Sequence, residues 1–280
     1  MKKAINKTLV AAAIAGALGL ASFGAMAQTT GAVFPDFTVN QASVPGSSGS
    51  FIADKITGNY DEIITFGANN TFNVSLLWNA GQFVANNGTT TVPSQLGQTG
   101  STIAQQYGLY ALYTGSGTVS SAGGKTTFNF TPGGSLSVYI DPNTDTTFNK
   151  PGNGSTPWTA NTGGDDYLIA TGMPTSGQGT LDPTLSTCGS NGTGSGINCG
   201  SFGSSTTFNL TSAGSQFFTS PNPFYNVSFQ SGQLNNFTPS GTQEINGSMD
   251  VVFGVPEPTS VALIGLGMLG LGLSRRKKQA

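Results

Sequence analysis

Lys125-Thr126-Thr127-Phe128-Asn129-Phe130-Thr131, followed by Ser135-Leu136-Ser137-Val138-Tyr139-Ile140, sets the fold class. Phe128 and Phe130 alternate with Thr127, Asn129 and Thr131, and Leu136, Val138 and Ile140 alternate with Ser135, Ser137 and Tyr139. Successive side chains of a strand point to opposite faces, so this period of two describes strands with one apolar and one polar face. Just upstream, Gly123-Gly124 reads as a tight hairpin turn joining residues 116–121 to residues 126–131. The alternation recurs at Val227 and Phe229, and at Met249, Val251 and Phe253. Residues 50–53, 62–66, 72–78, 109–113, 167–170 and 208–210 are further candidate strands, and no segment carries a helical stripe.

Half-buried alternating strands must cover their apolar faces against another sheet, so the expected architecture is all-β. The specific expectation is an antiparallel β-sandwich, jelly-roll-like, occupying residues 28–254 as one body. Residues 171–203 are rich in Gly and Ser and are expected to be a loop excursion from that body. Cys188 and Cys199, the only cysteines, flank ten residues of this stretch. In an exported chain such a pair is expected to form a structural disulfide. Closing so short a loop stabilises by roughly 2–3 kcal/mol in the chain-entropy picture. No basic neighbour is present to depress a thiol pKa, which disfavours a reactive pair.

Composition restricts the chemistry. The 280 residues include 41 Gly, 18 Phe and 7 Tyr, with only 8% charged residues, so aromatic area for a core coexists with abundant turn formers. The sequence has no histidine, which excludes Ser-His-Asp and Cys-His catalysis and His-ligated metals. Most basic residues sit at the two ends, leaving Lys55, Lys125 and Lys150 in the body against a large excess of Asp and Glu. A body so acidic repels phosphate backbones, so no nucleic-acid partner is expected. Divalent cations suit it better.

The two ends read as addresses. Lys2, Lys3 and Lys7 precede an apolar run over residues 8–23, and Ala25-Met26-Ala27 offers small residues for a signal peptidase. Residues 1–27 are therefore expected to be a signal peptide cleaved after Ala27. At the other end, Pro256-Glu257-Pro258 precedes an apolar run over residues 259–273 and then Arg275-Arg276-Lys277-Lys278. As a helix that run spans roughly 23 Å, short for a hydrocarbon core about 30 Å thick. Gly265, Gly267, Gly270 and Gly272 lower its helix propensity further and permit close packing against another helix. The basic cluster would remain cytoplasmic. Pro256 and Pro258 hold the preceding backbone extended, the form a protease needs. Residues 255–280 thus read as a transmembrane sorting helix inserted only transiently in the inner membrane.

In that order, Pro256-Glu257-Pro258, the Gly/Leu-rich run and the Arg-Arg-Lys-Lys cluster resemble the PEP-CTERM sorting signal that exosortases process in Gram-negative bacteria making exopolysaccharide. The body resembles the flocculation-associated members of that group. The resemblance rests on Gly49-Ser50-Phe51, on the run from Asp54 to Tyr60, and on Tyr107-Gly108-Leu109-Tyr110-Ala111-Leu112-Tyr113. Leu181-Asp182-Pro183 and the run from Ser228 to Leu234 add to it. It implies a non-enzymatic surface or extracellular-matrix protein that promotes flocs or biofilm, with signal peptidase, exosortase and exopolysaccharide or other matrix components as partners.

Three internal constellations bear on chemistry. Asp141, Asn143 and Asp145 place oxygens at i, i+2 and i+4, a spacing suited to structural calcium, with Asp165, Asp166 and Asp182 as further donors. The loop is no EF-hand, since Gly152 stands where the twelfth-position Glu belongs. The plain alternative is a type I turn after a strand. Asp61-Glu62 and Asp165-Asp166 are adjacent carboxylates, but neighbours in a strand face opposite ways and do not make a glycosidase pair. Trp78, Trp158, Tyr107, Tyr110 and Tyr113 offer rings for sugar stacking, although core packing is the expected use. A carbohydrate-binding module and a secreted polysaccharide-modifying enzyme are accordingly the rival functions.

Overall fold

A computed structural model describes residues 34–97, 107–188 and 198–254. The expected signal peptide with its Ala27 cleavage site, and the tail with Pro256, Glu257, Pro258, Arg275, Arg276, Lys277 and Lys278, lie outside the described residues. In chain order the strands begin with β1 (Phe37–Asn40), β2 (Ser50–Ala53), β3 (Lys55–Phe66), β4 (Thr71–Ala85) and β5 (Thr90–Thr91). The next are β6 (Gly108–Ala122), β7 (Lys125–Asp141), β8 (Thr147–Asn149), β9 (Thr159–Asn161) and β10 (Tyr167–Gly172). Then come β11 (Pro174–Leu181), β12 (Gly200–Thr206), β13 (Asn209–Leu210), β14 (Phe218–Ser220), β15 (Asn226–Ser231) and β16 (Thr242–Gly254). One short helix, α1 (Ser212–Phe217), interrupts them, with the Thr211 hydroxyl capping the Gly214 N–H.

The architecture is all-β and antiparallel, but it is a closed barrel rather than the expected sandwich. The main sheet runs β11-β12-β15-β16-β3-β4-β6-β7, and β7 pairs again with β11, so eight strands return on themselves. The closing ladder runs from Gly177 opposite Phe130 to Leu181 opposite Thr126. It is formed by the first half of β7, while the second half pairs with β10. Closure removes the free edges that a two-sheet sandwich would keep. It depends on coiling that local alternation does not encode. The β6–β7 register shifts between Thr114 and Ser116, opposite Pro132-Gly133-Gly134. At Gly134, with φ +96°, a Cβ would lie 2.2 Å from the Thr114 carbonyl oxygen, so only glycine fits that bend.

The stretch 171–203, expected as a loop, instead holds β11 and β12, which pair along their length. Its strands are Gly-, Ser- and Thr-rich and show no apolar alternation, which hid them. Cys188 and Cys199 are joined by a disulfide, as expected. The tip hairpin is also as expected, with Ala122 opposite Lys125 across Gly123-Gly124.

Inward residues fill the barrel, as an eight-strand interior requires. Trp78, 2% exposed, donates from Nε1 to the Met249 carbonyl at 3.1 Å and packs edge-on to Phe229. Where β16 finishes, the small sheet β14-β1-β2 brings Phe37 and Phe218 against Phe253. At the opposite end Phe66, Phe128 and Phe237 gather.

Candidate functional site

Between β7 and β10 the chain leaves the barrel, forms the β8–β9 hairpin and returns, laying a flap over the outer face. Trp158 anchors it: its backbone N–H donates to the Ser75 hydroxyl and its indole to the Ser75 carbonyl, at 3.0 and 3.2 Å. Beneath lie Ile63, Leu77 and Tyr110 in a second apolar cluster. Tyr110 stacks on Tyr139 at 5.2 Å and meets Phe148 edge-on. Gly154 touches β4 so closely that a Cβ would lie 2.1 Å from the Asn73 carbonyl oxygen. Lys150 pairs with Glu244 at 2.7 Å on the flap's far side.

Both stems of this flap are acidic. Asp141, Asp145, Asp165 and Asp166 each present a carboxylate oxygen, all within 4.8 Å of one another. The Asp141 side chain accepts from the N–H groups of Asn143, Asp145 and Thr146, which curls the segment after the strand around its carboxylate. Asp166 accepts from the Tyr110 and Thr146 hydroxyls, at 2.6 Å from Tyr110. Burial raises the Asp166 pKa, the two hydroxyl bonds pull it back down, and Asp141 and Asp165 push it up again. Asn143 enters as a donor, its amide reaching Asp165 at 2.6 Å.

The body's three lysines are all engaged elsewhere, with Asp250, Asp182 and Glu244. Among the described residues, then, the four carboxylates face no cationic partner. Such a set of hard oxygens is chemically suited to a divalent cation such as Ca²⁺.

Other predicted donors and platforms fall elsewhere. Asp182 does not join the cluster; it pairs with Lys125 at 2.7 Å beside the disulfide loop and accepts from Thr184, which holds its pKa down to about 2. Sequence spacing could not reveal that partner, which comes from the β6–β7 tip. Trp78 and Trp158 are 2% and 6% exposed, and Tyr107, Tyr110 and Tyr113 are buried, so these rings pack rather than form an open sugar platform. Asp61 and Glu62 diverge as strand geometry requires: Glu62 enters the barrel, while Asp61 lies near Glu244 and Lys150. The signal for the interior position of Glu62 is its place between inward Tyr60 and Ile64.

The barrel also positions the C-terminal end. β16 is flanked by β15 and β3, with Gly254 opposite Asn226, so the closed sheet is complete at residue 254. Cleavage beyond that point leaves every barrel strand whole. No helix among the described residues is long and apolar enough to cross a membrane.

Neither a curated protein nor a solved structure matches this chain. A family model for the PEP-CTERM protein-sorting motif matches residues 254–277. The match begins on the last barrel residue and covers the Pro-Glu-Pro, the apolar run and most of the basic cluster. The chain therefore carries a PEP-CTERM sorting signal, which marks it as an exported protein of a Gram-negative bacterium that transits the membrane and is processed by an exosortase.

Proposed function

We propose that this is a non-enzymatic cell-surface or extracellular-matrix protein that joins exopolysaccharide after exosortase processing and promotes flocs or biofilm. The sorting motif abutting a finished barrel carries the reading, because removing the tail frees a folded body. The resemblance of the body to flocculation-associated proteins supports the matrix role. In the native host, replacing Pro256, Glu257 and Pro258 with Ala is expected to hold the protein in the membrane fraction and reduce flocculation. Unchanged release and clumping would contradict the proposal.

Within this function, the flap base takes a structural Ca²⁺ through Asp141, Asp145, Asp165 and Asp166. The ion offsets mutual repulsion among carboxylates that no lysine neutralises. Ligand at a hundredfold excess over Kd stabilises by about 2.7 kcal/mol, which for a body of this size raises Tm by about 5 °C. Calcium is therefore expected to raise the melting temperature, and chelation to loosen the flap and red-shift Trp158 emission. Asp145→Asn with Asp165→Asn should abolish both responses. Indifference of the wild-type protein to calcium and chelator would remove the ion. Calcium bridging between acidic bodies and anionic polysaccharide further entails that chelator disperses flocs.

A further inference from the structure

Glu62 stands inside the barrel, 6% exposed, opposite Leu76 on one side and Ile245 on the other. It borders a void of about 20 Å³ whose other walls include Phe72, Phe128, Phe130, Phe202 and Phe237. No hydrogen bond or ion pair to its carboxyl occurs among the described residues, and all three body lysines are spent on the outside. A carboxyl with no cation beside it, set among phenylalanine rings near the Tyr60 and Tyr113 hydroxyls, is costly to bury, and Leu at this position would avoid the cost. The void has room for a water, no more.

One wall is removable. Leu234 and Phe237 come from the irregular connection between β15 and β16. Leu234 is fastened by backbone hydrogen bonds with Cys199 and Gly200, whereas Phe237 is only partly buried and rests on the rings of Phe66 and Phe128. Swinging Phe237 outward would open the aromatic chamber at the barrel end remote from the sorting signal.

We propose that this chamber is a binding site for an organic ammonium, seated with its charge on Glu62, its apolar body among the phenylalanine rings, and Phe237 displaced as the plug. Two features select the ligand class. Aromatic rings attract cations, and Phe72, Phe128, Phe130, Phe202 and Phe237 line the chamber. A lone carboxylate supplies the counter-charge and gains, in a bound cation, the partner that the fold withholds. Burial keeps Glu62 protonated up to about pH 8, so the ammonium binds in exchange for that proton, most tightly above pH 8, whereas a neutral apolar ligand leaves the proton in place. This inference is independent of the sorting reading.

The test is calorimetric titration of the mature protein with benzyltrimethylammonium, and with benzyl alcohol as the neutral comparison. Phe237→Ala is expected to bind the ammonium about tenfold more tightly than wild type, because the plug no longer has to move. Adding Glu62→Gln to Phe237→Ala should weaken the ammonium about tenfold or more and leave benzyl alcohol unaffected. Denaturant unfolding of the double variant establishes that it remains folded. No ammonium binding by Phe237→Ala, or binding indifferent to Glu62→Gln, would overturn the proposal.

Discussion

Glu62→Gln is expected to make the barrel more stable at pH 8–9 and to flatten its stability between about pH 4.5 and 8. Burial raises the Glu62 pKa from 4.5 to about 8, and the nearby charge of Asp61 adds to the rise. The folded chain therefore holds a proton that the unfolded chain has already released across this interval. Stability from this group is fully present below about pH 4.5, declines as the pH climbs, and is gone above about 8. At ~1.4 kcal/mol per pKa unit, the swing is on the order of 5 kcal/mol. Tyr60, Tyr107 and Tyr113, also in the core, are pushed upward by burial and stay neutral throughout. Asp54, Asp61 and Asp166 have raised pKa values too, so the comparison with the variant is what isolates Glu62. Urea unfolding of both proteins at pH 5, 7 and 9 measures the effect. Parallel pH profiles would contradict the buried position.

Trp78→Ala is the second large effect. The indole fills the barrel centre, and its N–H satisfies the Met249 carbonyl of β16. Truncating a fully buried tryptophan costs about 3–5 kcal/mol, and here it also strips a carbonyl of its side-chain donor. The expected result is a lowered unfolding midpoint and poor accumulation of the exported protein. Trp158→Ala should instead release the flap and spare most of the barrel, since Trp158 holds only Ser75 and the outer cluster. A near-wild-type midpoint for Trp78→Ala would show that this ring is not a core element.

These residues also show what the sequence could and could not disclose. Strands with strict alternation, such as the Phe128 and Leu136 segments of β7 or the Met249 segment of β16, were legible because one face is apolar. Closure was not legible. It depends on the far edge of β7 meeting β11, whose Gly177 and Gly179 carry no apolar signal. The flap base is half legible: Asp141 and Asp145 stand close in sequence and Asp165-Asp166 are further candidate donors, but only the return of the chain into β10 unites them. Asp182 stands apart from that set because its partner, Lys125, is more than fifty residues away in the chain and meets it only through the fold. Glu62 could be placed on the face opposite Asp61, yet whether that face was interior depended on closure.

Intact-mass spectrometry of the protein recovered from its native host bears most directly on the sorting claim. The account expects a mature chain ending within or near residues 255–258, its apolar run and Arg275-Arg276-Lys277-Lys278 gone and its barrel complete. Recovery of the chain with Ala280 still attached, stably resident in the cytoplasmic membrane, would contradict it.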